Sequence, residues 1–173
     1  MNCYTFFDLY SFIDMWYDGI IKELDSSISM FDFHNKTIRK YAYADPKRLL
    51  QSLTIMAKQI CISRITEKLH FRISDGIDNS KLSMCFESHE TTRKNGETSL
   101  LDASSSLEFN PDAIKSVIEL SEISNFEVKM FREENISHID FIFGRNERNV
   151  NGTFNCMDFD FIRTIIRDSI DAF

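Results

Sequence analysis

Residues 44–67, ADPKRLLQSLTIMAKQICISRITE, constrain the fold of this chain more than any other stretch. They spell a helix with a defined start. Asp45 is placed to act as N-cap, its carboxylate accepting a hydrogen bond from an orphan backbone N–H of the first turn. Pro46 takes the first helical position, where its missing N–H is no loss. Leu49, Leu50, Leu53, Met56, Ala57, Ile60 and Cys61 then recur at steps of three and four, with Lys47, Arg48, Lys58 and Arg64 mostly off that stripe. A helix with so wide an apolar face must be covered, so the rest of the chain is expected to pack on it.

The flanking segments supply the cover. Residues 9–24 predict a second amphipathic helix, with Leu9, Phe12, Ile13, Trp16, Ile20 and Leu24 on one side. Gly19 weakens it by roughly 1 kcal/mol relative to Ala. Residues 28–33 alternate as a strand does, His34 begins a turn, and residues 37–42 form a short strand leading to Asp45. Leu69, Phe71 and Ile73, then Leu82, Met84 and Phe86, alternate on either side of a turn-rich segment at Gly76, which predicts a hairpin. Residues 88–110 are polar and read as a long surface loop, the serine run 104–106 being loop filler. Pro111 opens a helix over 111–124, and residues 126–130 and 139–143 make a second hairpin. A polar linker, 145–155, leads to a last amphipathic helix over 157–172.

Composition narrows the function. A chain of 173 residues suits one domain with a short appendage, and 43% apolar residues with 16 Phe supply a sizeable core. The formal charge of −7, with no Lys/Arg cluster, argues against a nucleic-acid partner. Cys3, Cys61, Cys85 and Cys156 lie far apart without metal-ligand spacing and read as buried thiols of a reducing compartment. No apolar run suits a membrane span and no signal peptide is evident, so a soluble, cytoplasmic protein without a membrane role is expected.

The helix at 44–67 also carries a resemblance. Asp45, Pro46, Arg48, Leu49, Gln51 and Leu53, followed by an apolar helix and a strand from Lys68, resemble the N-box of the histidine-kinase ATP-binding domain. Gyrase, a heat-shock chaperone family and mismatch-repair ATPases share that fold. Phe7-Asp8-Leu9 before a helix likewise resembles the way such domains begin. The resemblance implies an α+β, two-layer α/β sandwich over residues 6–144. It would have a mixed sheet of about five strands, with helices 9–24, 46–65 and 111–124 on one face. The loop 88–110 stands where the family has its ATP lid. Residues 145–173, the linker and extra C-terminal amphipathic helix, lie outside the resemblance.

The family's chemical residues are another matter. Its first N-box Asn falls on Ile55, its magnesium-holding Asn on Gln59 and its Lys on Ile62. The first glycine box is replaced by Ser88-His89-Glu90-Thr91-Thr92, and the second by Leu107-Glu108-Phe109-Asn110-Pro111-Asp112, whose acids would repel a triphosphate. A collapsed or acid-lined pocket is therefore expected, with no cofactor and no metal. The two-helix hairpin that carries a kinase's reactive His is expected to be missing, because only five residues precede Phe6. His34, His70, His89 and His138 read as surface residues and Cys61 as core, so no catalytic residue is assigned.

The chain is thus expected to be no enzyme but a pseudokinase: a protein-binding regulator of bacterial two-component signalling that engages a sensor kinase or response regulator. The alternative is an unorthodox nucleotide-binding or phosphotransfer protein built on Gln59 and the acidic loop. The C-terminal stripe of Phe159, Ile162, Ile166 and Ile170 offers partner-binding candidates. It has either to dock on its own domain or to pair with another chain, as in a homodimer, since an isolated helix of that length is marginal in water.

Overall fold

The computed structural model describes residues 4–23, 31–34, 41–63, 69–75, 79–87, 95–144 and 159–173. The order of elements is β1 (Thr5–Asp8), α1 (Leu9–Glu23), β2 (Phe31–His34), β3 (Tyr41–Ala44), α2 (Pro46–Ile62), β4 (Leu69–Asp75) and β5 (Asn79–Glu87). There follow β6 (Gly96–Thr98), α3 (Leu100–Ser106), α4 (Pro111–Glu122), β7 (Phe126–Glu133), β8 (Ile136–Gly144) and α5 (Phe159–Asp171). A mixed sheet of six strands runs β2-β4-β5-β8-β7-β6, parallel between β2 and β4 and antiparallel elsewhere, and β1 and β3 form a separate antiparallel ribbon. The expected sheet of about five strands is therefore larger by one, because the lid-like segment contributes β6 to its edge.

Period-two alternation decides which side of the sheet is covered. Leu69, Phe71 and Ile73, Leu82, Met84 and Phe86, Phe126 and Met130, and Ile139, Phe141 and Phe143 all point into one core. The opposite face carries Arg72, Lys81, Ser83, Asp140, Lys129 and Glu127. On the covered face lie α1 (through Phe12, Ile13 and Trp16), α2 (through Leu49, Leu50, Leu53, Met56, Ala57 and Ile60, whereas Cys61, expected as core, is only half-buried) and α4 (through Ala113, Ile114 and Val117). Trp16 meets Phe71 edge-on with ring centroids 5.4 Å apart, and its Nε1–H donates to Thr54 Oγ1 at 3.0 Å. That bond gives the buried indole the polar partner it needs.

Helix α2 begins as its sequence dictates. Asp45 Oδ1 accepts from the N–H groups of Lys47 and Arg48 at 3.1 and 3.4 Å, with Pro46 in the first turn. Its neighbour α4 runs the other way. The Asp45 N–H donates to Ser124 O at 3.3 Å and Arg48 Nη1 to Ile123 O at 2.9 Å, which ties the start of α2 to the end of α4.

Helix α5 settles on α1 and α2. Ile162 and Ile166 are 0% exposed and Ile165 is buried, all in the common core. The close approach depends on Gly19, where an added Cβ would stand 2.7 Å from Ile166 Cδ1. Lys58 Nζ donates to Ile170 O near the end of α5, a favourable place for a cation. Of the four partner candidates, then, Ile162 and Ile166 are taken up by the chain's own core and Ile170 packs partly against it, while the Phe159 side chain lies outside the described residues. The docking of this stripe within its own chain follows from the room that Gly19 leaves.

Candidate functional site

The N-box positions sit at the far end of α2, beside the start of α4. Gln59 is 2% exposed, and its Oε1 accepts the Asn110 backbone N–H at 2.8 Å. Its Nε2 is buried with no hydrogen-bond partner among the described residues. Ile55 is buried, whereas Ile62 is 59% exposed and stands clear of the core. The three positions therefore do not form one cluster: Gln59 faces α4, Ile55 is core and Ile62 is surface.

Asn110 caps α4, its Oδ1 accepting from the Asp112 N–H at 3.0 Å. The residues before it turn sharply. Leu107 and Phe109 point into the core while Glu108, between them, is exposed with φ at +56°. The Phe109 N–H donates to Ser104 O at 3.0 Å and seats the turn on α3. The two acids of this segment, Glu108 and Asp112, are exposed, and the two apolar residues fill space. The place of the first glycine box, 88–92, lies outside the described residues, as does His89.

The lid-like segment has structure that its polarity concealed. Strand β6 pairs with β7, with Gly96 opposite Arg132 and Thr98 opposite Met130. Lys129 Nζ lies 3.1 Å from Glu97 and 3.3 Å from Glu127, and hydrogen bonds to those two carboxylates, Glu97 first, hold its pKa above the ordinary lysine value. Asn95 Oδ1 accepts from the Glu134 N–H at 3.1 Å. The serine run read as filler is helix α3, capped by Ser99 Oγ on the Asp102 N–H at 3.1 Å and anchored by Leu100 and Ala103. Local hydrogen bonding explains the miss: Ser104, Ser105 and Ser106 hydroxyls donate back to carbonyls three residues earlier, which lets short polar side chains sit in a helix.

The other titratable candidates lie on the uncovered face. His138, expected as surface, is half-buried, with Nδ1 3.1 Å from Cys85 Sγ and its ring 5.9 Å from that of Phe131. Burial, and then the charge of Asp140, push the Cys85 thiol up to about 11, and burial lowers His138. Thiol and imidazole are thus both neutral near pH 7, which is not the thiolate–imidazolium pair of a cysteine nucleophile. Beside them Ser83 Oγ donates to buried Asp140 Oδ1 at 2.6 Å, and Lys81 Nζ is 3.4 Å from the other oxygen. Lys81, Glu127, Lys129, Phe131 and Asp140 line an open cavity of about 400 Å³ on this face. No group of three His, Cys, Asp or Glu side chains able to hold a metal occurs among the described residues. Nor is any helix among them long and apolar enough to cross a membrane.

No protein-family model matches the sequence, and no curated protein is similar to it. Solved structures are. The chain is similar to the Acinetobacter baumannii histidine kinase AdeS, with 14% identity and a TM-score of 0.62 over 85% of this chain and 70% of that one. The catalytic domain of the histidine kinase ThkA is matched at 16% identity and a TM-score of 0.61, over 82% of this chain and 97% of that one. A structure of ThkA in complex with the response regulator TrrA gives 18% identity and a TM-score of 0.54 over 85% and 44%. These likenesses correct the expectation that the chain is no enzyme: the architecture it shares is that of kinase catalytic domains, an enzyme's fold. This protein has the fold of a histidine-kinase ATP-binding domain.

Proposed function

We propose that this chain is a kinase-like domain of bacterial two-component signalling that acts in the cytoplasm by docking to a sensor kinase or a response regulator. Residues 6–144 form the kinase-like unit, and residues 145–173 are its linker and brace. The observation that carries the reading is the match to almost the whole of an isolated kinase catalytic domain, 97% of its length. The ThkA structure with a response regulator supports the choice of partner. Affinity capture with the full chain from its native cells tests it. Enrichment of a sensor kinase or response regulator is the expected result, and its absence from the captured proteins overturns the reading.

The catalytic fold favours one second reading, a nucleotide-binding or phosphotransfer protein in which the Gln59 amide takes the place of the family's Asn. Calorimetric titration with magnesium-ATP separates the two. Saturable heat that disappears in Gln59→Ala selects the second reading.

A further inference from the structure

We propose that Cys85 and His138, side by side on the uncovered face of the sheet, are a two-ligand site for a soft monovalent cation, copper(I). Strands β5 and β8 pair with Cys85 directly opposite His138. The alternation that sends Met84, Phe86 and Ile139 into the core turns these two side chains to the other face. Cys85 Sγ and His138 Nδ1 lie 3.1 Å apart. Phe131, opposite His138 on β7, steadies the imidazole from the far side, its ring centroid 5.9 Å away. Thiolate sulfur and imidazole nitrogen are both donors that suit copper. Bonds of about 2.3 Å to sulfur and 2.0 Å to nitrogen set the two donors about 3.6–4.3 Å apart around one metal. Rotation of the half-buried imidazole supplies that small opening.

Ligand number and local charge choose the ion. His70 stands in register with Cys85 on β4, yet no group of three donors converges among the described residues. Zinc takes three or four protein ligands, whereas a monovalent ion with a filled d shell is satisfied by two. As the S–Cu bond forms, the thiol gives its proton to water and the metal stays copper(I), so thiolate and ion together carry no net charge. Neutrality matters here, because Cys85 is 9% exposed and the charges of Arg72 and Lys81 act on it. A divalent ion would leave a positive charge beside them, and the nearby carboxylate, Asp140, is already engaged by Ser83 and Lys81. This binding is independent of the partner docking proposed above.

The test uses the full chain with Cys85→Ser, which replaces sulfur by a hard oxygen, and His138→Gln. Copper(I) is presented anaerobically as its complex with a coloured chelator, and its transfer to the protein is read from the loss of colour. Nitrogen NMR of the imidazoles reports which ring receives the metal. The parent should take one tightly held equivalent and shift Nδ1 of His138. Cys85→Ser should lose that equivalent, and His138→Gln should hold it at least about 10-fold more weakly, the least that loss of even an outer partner costs a metal site. Copper retained by Cys85→Ser, equal affinity in His138→Gln, or an unmoved His138 signal would assign the metal to other cysteines and overturn the proposal. Tighter uptake of zinc than of copper(I) by the pair would overturn it too. Should Cys85→Ser not fold, His138→Gln and the parent's imidazole shift decide alone.

Discussion

Helix α2 meets α5 and α4 by different means. Toward α5 the contact is one of shape: three buried isoleucines of α5, which Gly19 of the adjoining α1 gives room, and Lys58 of α2 at the helix end. Toward α4 an apolar stripe is supplemented by polar pins at both ends, Asp45 and Arg48 on Ser124 and Ile123, and Gln59 on Asn110. Apolar burial is non-directional and large per side chain, whereas one hydrogen bond contributes about 0.5–1.5 kcal/mol but fixes register. The α5 side should therefore govern whether the protein is folded, and the α4 side what the far end of α2 can touch.

The most damaging change should be truncation after Gly144. It uncovers the surface that Ile162, Ile165 and Ile166 bury, worth about 5–9 kcal/mol, so the shortened chain should lose cooperative unfolding and aggregate. A truncated protein with parental stability in urea would refute the shape argument.

Next in size comes Ile166→Ala, expected to cost about 2–5 kcal/mol by chemical denaturation. Gly19→Ala tests the same contact with opposed terms: helix propensity favours Ala by about 1 kcal/mol, while overpacking against Ile166 Cδ1 costs about 1–3 kcal/mol. Packing should win. In Ile166→Val, which lacks that δ carbon, Gly19→Ala should become neutral or stabilising, and additive effects in the double-mutant cycle would break the assignment.

A smaller effect belongs to His138. Burial lowers its pKa from the ordinary 6.5, so the folded state binds fewer protons than the unfolded chain just below that pH. Stability should be fully present above about 6.5 and fall as the pH drops through the lowered value. His138→Gln should flatten the slope of urea midpoint against pH across that range. The smallest change is Lys129→Met, within about 1 kcal/mol, since the clasp with Glu97 and Glu127 is largely exposed. Because partners raise the lysine's pKa, its contribution should persist at neutral pH and vanish only above the ordinary lysine range, and added salt should weaken it in the parent alone.

Much of this fold was legible because its signals are strong and local. The Asp45-Pro46 start, the stripe from Leu49 to Ile60 and the two alternating hairpins each obey a single periodicity, and the structure contains them. Ends were less exact: the helix expected over 46–65 stops at Ile62 and the one over 111–124 at Glu122. The strand expected over 37–42 is β3 at Tyr41–Ala44, and residues 28–30 and 37–40 lie outside the described residues.

What stayed hidden depends on distant partners. Short polar residues at 95–106 carry no hydrophobic period, so β6 and α3 emerge only when β7 and α4 are in place. The site was half legible: the position of Gln59 followed from the motif, but its hydrogen bond to Asn110, fifty-one residues away, did not. Its longer arm relative to Asn was the one available hint. The apolar α5 stripe was seen clearly, yet its destination turned on Gly19, read only as a weak point of its helix.

The three-residue strand β6 has a consequence for how copies of this protein behave toward one another. Without it, β7 would end the sheet as an eight-residue edge with its backbone donors and acceptors open to any passing strand. β6 closes that edge at Met130, Phe131 and Arg132 and offers there a stub too short to template a new ladder, marked by exposed Glu97. Short, charged borders of this kind discourage edge-to-edge association. For that stretch of the sheet β6 thus acts as a selvedge, a finished border where a raw edge would otherwise run.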